Sequence, residues 1–379
     1  MRCKYVCSTL LPLLTLAVAV DVAKAQDALS ALGGVASALG GEAKAGTWRQ
    51  SPTPPWGPRS QATALSFKGR LWLLGGRGPG PLGEVWSSAD GRTWREDTPL
   101  GFPPRVGAGA VVFRDRMWIM GGADITGMRS DVYSSADGVA WKQETMSAPW
   151  DPRERFGCVA HNDVMYVFGG NGTAAAELND VWYSNNGTDW FTSTVAAGWS
   201  PRAGFGALEY NNLLWLFGGF ESGTYYRDIW FSYDGASWAR ATDGAAWSSC
   251  YLSSIVPFDG KLWLVGNYNF SQDFYSSADA VNWRQETTPP WQGRYQHSVA
   301  VLNSRLWMLA GTTTSSGDTN EVWSIPAEGK LGAACGCAPG GESGWAAYRA
   351  DAALVVMLLA TLLAWRPAGA ARASVRRPA

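Results

Sequence analysis

Five stretches of the chain repeat one pattern: VWSSADGRTW at 85–94, VYSSADGVAW at 132–141, VWYSNNGTDW at 181–190, IWFSYDGASW at 229–238 and FYSSADAVNW at 274–283. Each has Trp or Tyr at its second place and ends in Trp: Trp94, Trp141, Trp190, Trp238 and Trp283, 45–49 residues apart. Four of the five carry Asp-Gly or Asn-Gly between the aromatics. That pair signals a tight hairpin, because glycine takes positive φ without a steric cost. Each stretch therefore reads as two strands joined by a turn. A period of this length signals an array of like units and is the first feature to follow.

Two more landmarks recur outward from these stretches. The apolar runs LWLLGG, MWIMGG, MYVFGG, LWLFGG, LWLVGN and LWMLAG end in small pairs that begin at Gly75, Gly121, Gly169, Gly218, Gly266 and Ala310. Sixteen residues before each pair stands Arg59, Arg105, Arg153, Arg202, Cys250 or Arg294. Three residues earlier comes an aromatic: Trp56, Phe102, Trp150, Trp199, Trp247 or Trp291. The unit thus parses into four strands. Strand a follows the Arg position, strand b is the apolar run, strand c opens the quoted stretch, and strand d carries its final Trp. Strand b lacks polar alternation, as expected of a strand buried on both faces.

The small pair, the acidic-Val-Trp segment, the final Trp and the Pro-Arg before strand a resemble kelch repeats over about residues 46–326. The resemblance implies an all-β, six-bladed β-propeller of four-stranded repeats, the architecture shared by kelch proteins and the central domain of galactose oxidase. The S-x-D-G-x-x-W turn is also similar to the Asp-box of sialidases, one residue short. Five units are complete. The last, about 294–326, lacks strand d, and Thr47–Gln50 is a strand d without a unit. Joining the two closes the ring through an N-terminal strand and leaves no open edge at the seam.

Features present in nearly every unit are first features of the scaffold. Twenty of the 22 Trp occupy four repeat positions. The arginines Arg59, Arg105, Arg153, Arg202 and Arg294 and the acids Glu84, Asp131, Asp180, Asp228, Asp273 and Glu321 stand at the starts of strands a and c, where pairing is expected. The alternative is functional. Trp56, Phe102, Trp150, Trp199, Trp247 and Trp291 would ring the channel mouth with those five Arg just inside, as candidate contacts for a glycan or protein ligand. Unit five breaks the rule, with Cys250 for Arg, Asn267 for the second Gly and Ala280 for the turn Gly. Such departures mark candidate functional sites.

Catalytic signals are sparse. Copper chemistry of the galactose oxidase type needs two His at one metal, and the only two, His161 and His297, fall in different units. No zinc-ligand spacing, phosphate loop or nucleophile elbow is visible. No catalytic residue, metal or cofactor is expected. A glycan-modifying enzyme of the oxidase or sialidase kind stays as the alternative to a binding protein. With 31 Lys+Arg against 32 Asp+Glu, nothing draws the chain to nucleic acid.

The chain ends suggest export. Residues 1–25 read as a signal peptide: Arg2 and Lys4, an apolar core from Leu10 to Val20, and Ala23-Lys24-Ala25 before the cut. An Ala/Gly-rich spacer fills 26–46, the propeller 47–326 and a stalk 327–344. Residues 345–365 read as a transmembrane helix or a lipid-anchor signal, and 366–379 as a basic tail favouring a cytoplasmic C-terminus. The expected location is the cell surface, as a single-pass protein or alternatively a lipid-anchored or secreted one, with the membrane as one partner and a protein or glycan as the other. Sequons stand at Asn171, Asn186 and Asn269, and Cys335 and Cys337 are candidates for a disulfide.

Overall fold

The computed structural model describes residues 46–98 and 100–327. The signal segment, the spacer before residue 46, Cys335 and Cys337, the C-terminal apolar run and the basic tail lie outside them. All regular elements among the described residues are β-strands, so none is a helix long and apolar enough to cross a membrane.

Most of the strands form six antiparallel blades of four; Arg153–Glu154 adds a fifth strand to the sheet of blade 3, and short ribbons pair Ala123–Asp124 with Gly127–Met128 and Arg294–Tyr295 with Thr312–Thr313 and Gly317–Asp318. From the inside outward, blade 1 holds strands a to d at Thr63–Phe67, Arg70–Arg77, Pro81–Ser88 and Arg95–Thr98, and blade 2 at Gly109–Phe113, Arg116–Met120, Val132–Ser135 and Lys142–Thr145. Blade 3 runs Gly157–His161, Val164–Gly172, Leu178–Ser184 and Phe191–Thr194; blade 4 runs Gly206–Tyr210, Leu213–Glu221, Thr224–Ser232 and Trp238–Thr242. Blade 5 has Ser254–Phe258, Lys261–Asn267, Ser271–Ser277 and Arg284–Gln285. Blade 6 has Ser298–Leu302, Arg305–Leu309 and Val322–Pro326, and its outer strand is Arg49–Gln50, with Arg49 opposite Ser324 and Gln50 opposite Trp323. In four of the other five blades strand d begins just after its Trp, so that Trp closes the turn instead of entering the strand; blade 4, starting at Trp238, is the exception.

Strand b is buried along nearly its whole length, as its unbroken apolar run requires. The small pair ends it with a change of register, between Leu74 and Gly76 in blade 1. Both glycines there take positive φ, +55° and +102°, and a Cβ on Gly76 would lie 2.8 Å from Ser60 O and from Ala62 Cβ. The bulge turns the chain so that the second N–H of the pair reaches the next blade. Gly76 N–H donates to Arg105 O at 3.1 Å, and Gly311 N–H carries the same bond from blade 6 to Arg59 O of blade 1 at 2.9 Å.

Among the described residues no single central core exists. Six apolar clusters form instead, one in each space between neighbouring blades. That between blades 6 and 1 joins Leu302, Trp307 and Leu309 to Trp56, Leu71 and Leu73. The c–d turn of one blade covers the strand-b ring of the blade before it. A Cβ on Gly138 would lie 1.9 Å from the Trp72 ring, so glycine is needed there for space as well as for its φ of +78°.

Candidate functional site

Antiparallel order places the d–a and b–c loops at one face of the ring and the a–b and c–d turns at the other. The repeat aromatics and arginines open strand a at the first face. The structure puts them inside the wall. Trp56, Phe102, Trp150, Trp199, Trp247 and Trp291, with the five repeat arginines, are at most 2% exposed. Each aromatic meets the strand-d Trp of its own blade edge to face, as Trp150 does with Trp190 at 6.0 Å and Trp291 with Trp48 at 5.9 Å. Each arginine spans the first carbonyl of the small pair and the strand-c carboxylate. Arg105 donates to Gly121 O at 2.9 Å and to both oxygens of Asp131 at 2.8 and 3.0 Å. Arg59–Glu84, Arg153–Asp180, Arg202–Asp228 and Arg294–Glu321 repeat the pairing. At Glu84 and Glu321 burial works against ionisation, but the bonds from Arg59 and Trp86, or from Arg294 and Trp323, outweigh it and lower the carboxyl pKa. The eleven candidate ligand contacts are thus scaffold. None offers a face to solvent, because ring packing and ion pairing already occupy them.

Blade 5 keeps its strand-c acid without an arginine. Cys250 is fully buried, and burial pushes its thiol up to about 12. The guanidinium's place is taken from the other departure. Asn267 Nδ2 donates to Asp273 Oδ2 at 2.9 Å and to Ser249 O at 2.8 Å, while its Oδ1 accepts from Ser249 Oγ at 3.1 Å. The two irregularities answer each other: a neutral amide holds the carboxylate that a cation holds elsewhere.

Two residues after the arginine position the chain closes a belt around the channel. Gln61, Gly107, Arg155, Gly204, Leu252 and Gln296 all have φ between +54° and +63°. Each N–H donates to the carbonyl of the preceding blade's member, from Gly107 to Gln61 at 3.3 Å around to Gln61 to Gln296 at 2.9 Å. Backbone conformation is uniform here while side chains differ, so the mouth is where one blade can be told from another. The cavity at the mouth measures about 210 Å³ and one deeper in the channel about 260 Å³, each below the roughly 300–1,000 Å³ of a small-molecule pocket. A third, of about 590 Å³ and so within that range, lies at blade 4 among Ser200, Tyr225, Tyr226, Arg227 and Arg240, on the loop surface outside the channel.

That surface is unequal. Over blades 4 to 6 the loops bring together Phe220, Tyr225, Tyr251, Tyr268, Phe270 and Tyr295. Neighbouring rings lie 4.9–5.8 Å apart, from Phe220–Tyr225 at 5.0 Å through Tyr251–Tyr268 at 5.1 Å to Phe270–Tyr295 at 4.9 Å. Tyr225 is 43% exposed; Phe220, Tyr268, Phe270 and Tyr295 are partly exposed, and Tyr251 is buried beneath them. Burial raises the Tyr251 pKa, with Arg155 of the belt opposing it. Sequence reading missed this patch. Its available signal was Tyr251 and Tyr295 standing directly after the arginine position, where other blades have Ser60, Val106, Glu154 and Ala203.

The two histidines stay apart. His161 Nε2 lies 3.0 Å from Tyr233 O at the turn face, whereas His297 is buried in the channel wall between blades 5 and 6. Among the described residues no group of three His, Cys, Asp or Glu side chains is placed to hold a metal ion. Of the sequons, Asn186 and Asn269 are exposed and Asn171 half-buried; Asn171 and Asn269 lie on the loop face and Asn186 on the turn face.

A family model described as the KLHDC2/KLHL20/DRC7 Kelch-repeats domain matches residues 110–283, from strand a of blade 2 to the closing Trp of blade 5. No curated protein matches the chain. Four-stranded antiparallel blades, the small pair ending strand b and this match together make the chain a kelch-repeat β-propeller.

Proposed function

We propose that this propeller is a protein-interaction module that docks its partner on the loop face, over blades 4 to 6 beside the channel mouth. Kelch domains commonly bind proteins, and the observation that carries the reading is the aromatic patch from Phe220 to Tyr295. It breaks the sixfold repetition at the surface, while the repeated side chains are spent on the wall. Partly exposed tyrosines are suited to interfaces, since one ring offers apolar area and a hydroxyl at little conformational cost. The reading places the module at the cell surface, supported by the export-like residues 1–25, the apolar run at 345–365 and the exposed sequon asparagine Asn186 on the turn face.

A photo-crosslinking residue tests the docking face. Placed at Asn269, it is expected to capture a partner in cells; placed at Asn282, in the c–d turn of blade 5, it is not. Capture from Asn282 alone would overturn the reading. Recovery of the mature chain beginning at Gln26, and its release into the medium on deletion of 345–379, would test the location.

A further inference from the structure

We infer that the aromatic patch receives a cationic segment of the partner, with Arg or Lys side chains lying over its tyrosine rings; this rests on the docking reading above. Two observations specify the charge. An exposed aromatic face is the negative end of a ring quadrupole and attracts cations. The chain itself uses that geometry, with the Arg202 guanidinium 3.9 Å from the Tyr226 ring centroid. The second is the electrostatic difference of blade 5. Five blades set a guanidinium against the strand-c carboxylate, but Asp273 has only the neutral amide of Asn267.

The charges around the patch agree. Glu221 accepts from the Tyr226 hydroxyl beside Tyr225, and Glu154 lies 3.5 Å from Arg155 at the mouth. Glu154, Glu221 and Asp273 against Arg155 leave three carboxylates and one guanidinium, two negative charges in excess. Arg227, the next cation on strand c of blade 4, lies near Gly244 and lines one cavity with Tyr225; counting it leaves one negative charge in excess. An anionic partner would meet that excess and the negative ring faces together. A cationic one is attracted by both, and its long apolar stem packs along the rings.

The test uses the full chain and a fluorescein-labelled nona-arginine peptide, read by fluorescence polarisation, with nona-glutamate as its opposite. Saturable binding of nona-arginine alone is expected. Tyr225→Ala with Tyr268→Ala should weaken it about tenfold, from two lost cation–π contacts. Tyr225→Phe with Tyr268→Phe keeps the ring faces and should stay within about threefold. Asp273→Asn should weaken it, while Asp90→Asn with Asp137→Asn, which removes charge from the turn face, should not. Retained melting temperatures show that the alanine pair still folds, and the phenylalanine pair is informative in any case. Failure of nona-arginine to bind, equal binding of nona-glutamate, or indifference to the alanine pair overturns the inference. Binding seen only after residues 366–379 are removed would make this chain's own basic tail the occupant and overturn it too. A partner captured from Asn269 while nona-arginine fails would leave the docking reading standing and remove only the cationic one.

Discussion

At the residue scale, blade 5 shows how a repeat tolerates a lost ion pair. Asn267→Gly restores the repeat residue but strips Asp273 of its donor, and is expected to cost about 1–3 kcal/mol. Cys250→Arg alone forces a guanidinium into a site the amide fills and should also destabilise. The double variant rebuilds the pairing of the other blades, so its loss should be smaller than the sum of the two; additive losses in chemical denaturation would refute the exchange. The loop aromatics make a second case. Phe102 holds its niche without an N–H, and the indole nitrogens of Trp56, Trp150, Trp199, Trp247 and Trp291 have no protein partner. Trp150→Phe should therefore be mild beside Trp150→Ala, which should cost about 3–5 kcal/mol by leaving a cavity between blades. His297 occupies the place that Phe156 and Phe205 hold in blades 3 and 4. Burial, then the charge of Arg294, lowers its pKa to about 3, although the nearby Val265 carbonyl favours the proton. The unfolded ring binds a proton below about pH 6.5 and the folded ring does not. Stability present above that pH is therefore lost as the pH falls from 6.5 toward 3. His297→Phe removes this dependence, and its stability advantage should widen between pH 7 and pH 4; a constant difference would contradict the assignment.

At the element scale, the outer strand of blade 6 comes from the far end of the propeller sequence. Arg49 and Gln50 bond to strand c, while Trp48 packs on Phe274 at 5.5 Å and on Trp291 at 5.9 Å. Removing residues 46–52 should cost at least the ~3–5 kcal/mol of a deleted buried Trp and leave an open edge. Reattaching them behind residue 327 through an Asn-Gly turn should recover the melting temperature; no loss on removal would show that the strand adds nothing. Strand order was legible in the sequence because each boundary has a local chemical cause: Gly75-Gly76 at a bulge, Asp90-Gly91 at a turn, an unbroken apolar run in strand b. The strand-d start was misplaced because Trp94, Trp141, Trp190 and Trp283 pack as turn closures, a use of the ring that its β-propensity does not reveal.

At the scale of the whole molecule, repetition builds the ring and departure from it makes a surface. The belt from Gln61 to Gln296 fixes six equivalent backbone positions whose side chains differ, and the tyrosines gather beside three of them. Sequence reading marked blade 5 as irregular through Cys250, Asn267 and Ala280, none of which belongs to the patch. It chose Trp56 and its equivalents for the mouth because their order around the ring was legible and their depth in the wall was not. Tyr225, Tyr251, Tyr268 and Tyr295 are separated by 17–27 residues, and only the packing of blades 4, 5 and 6 brings them together. The most direct measurement is hydrogen–deuterium exchange of the full chain with and without the partner captured from Asn269. A partner docked on the loop face will slow exchange in 221–227, 251–253, 268–272 and 295–297 and leave the turns at 89–93, 136–140 and 186–189 unchanged. Protection of those turns, with the loops of blades 4 to 6 exchanging as before, would contradict it.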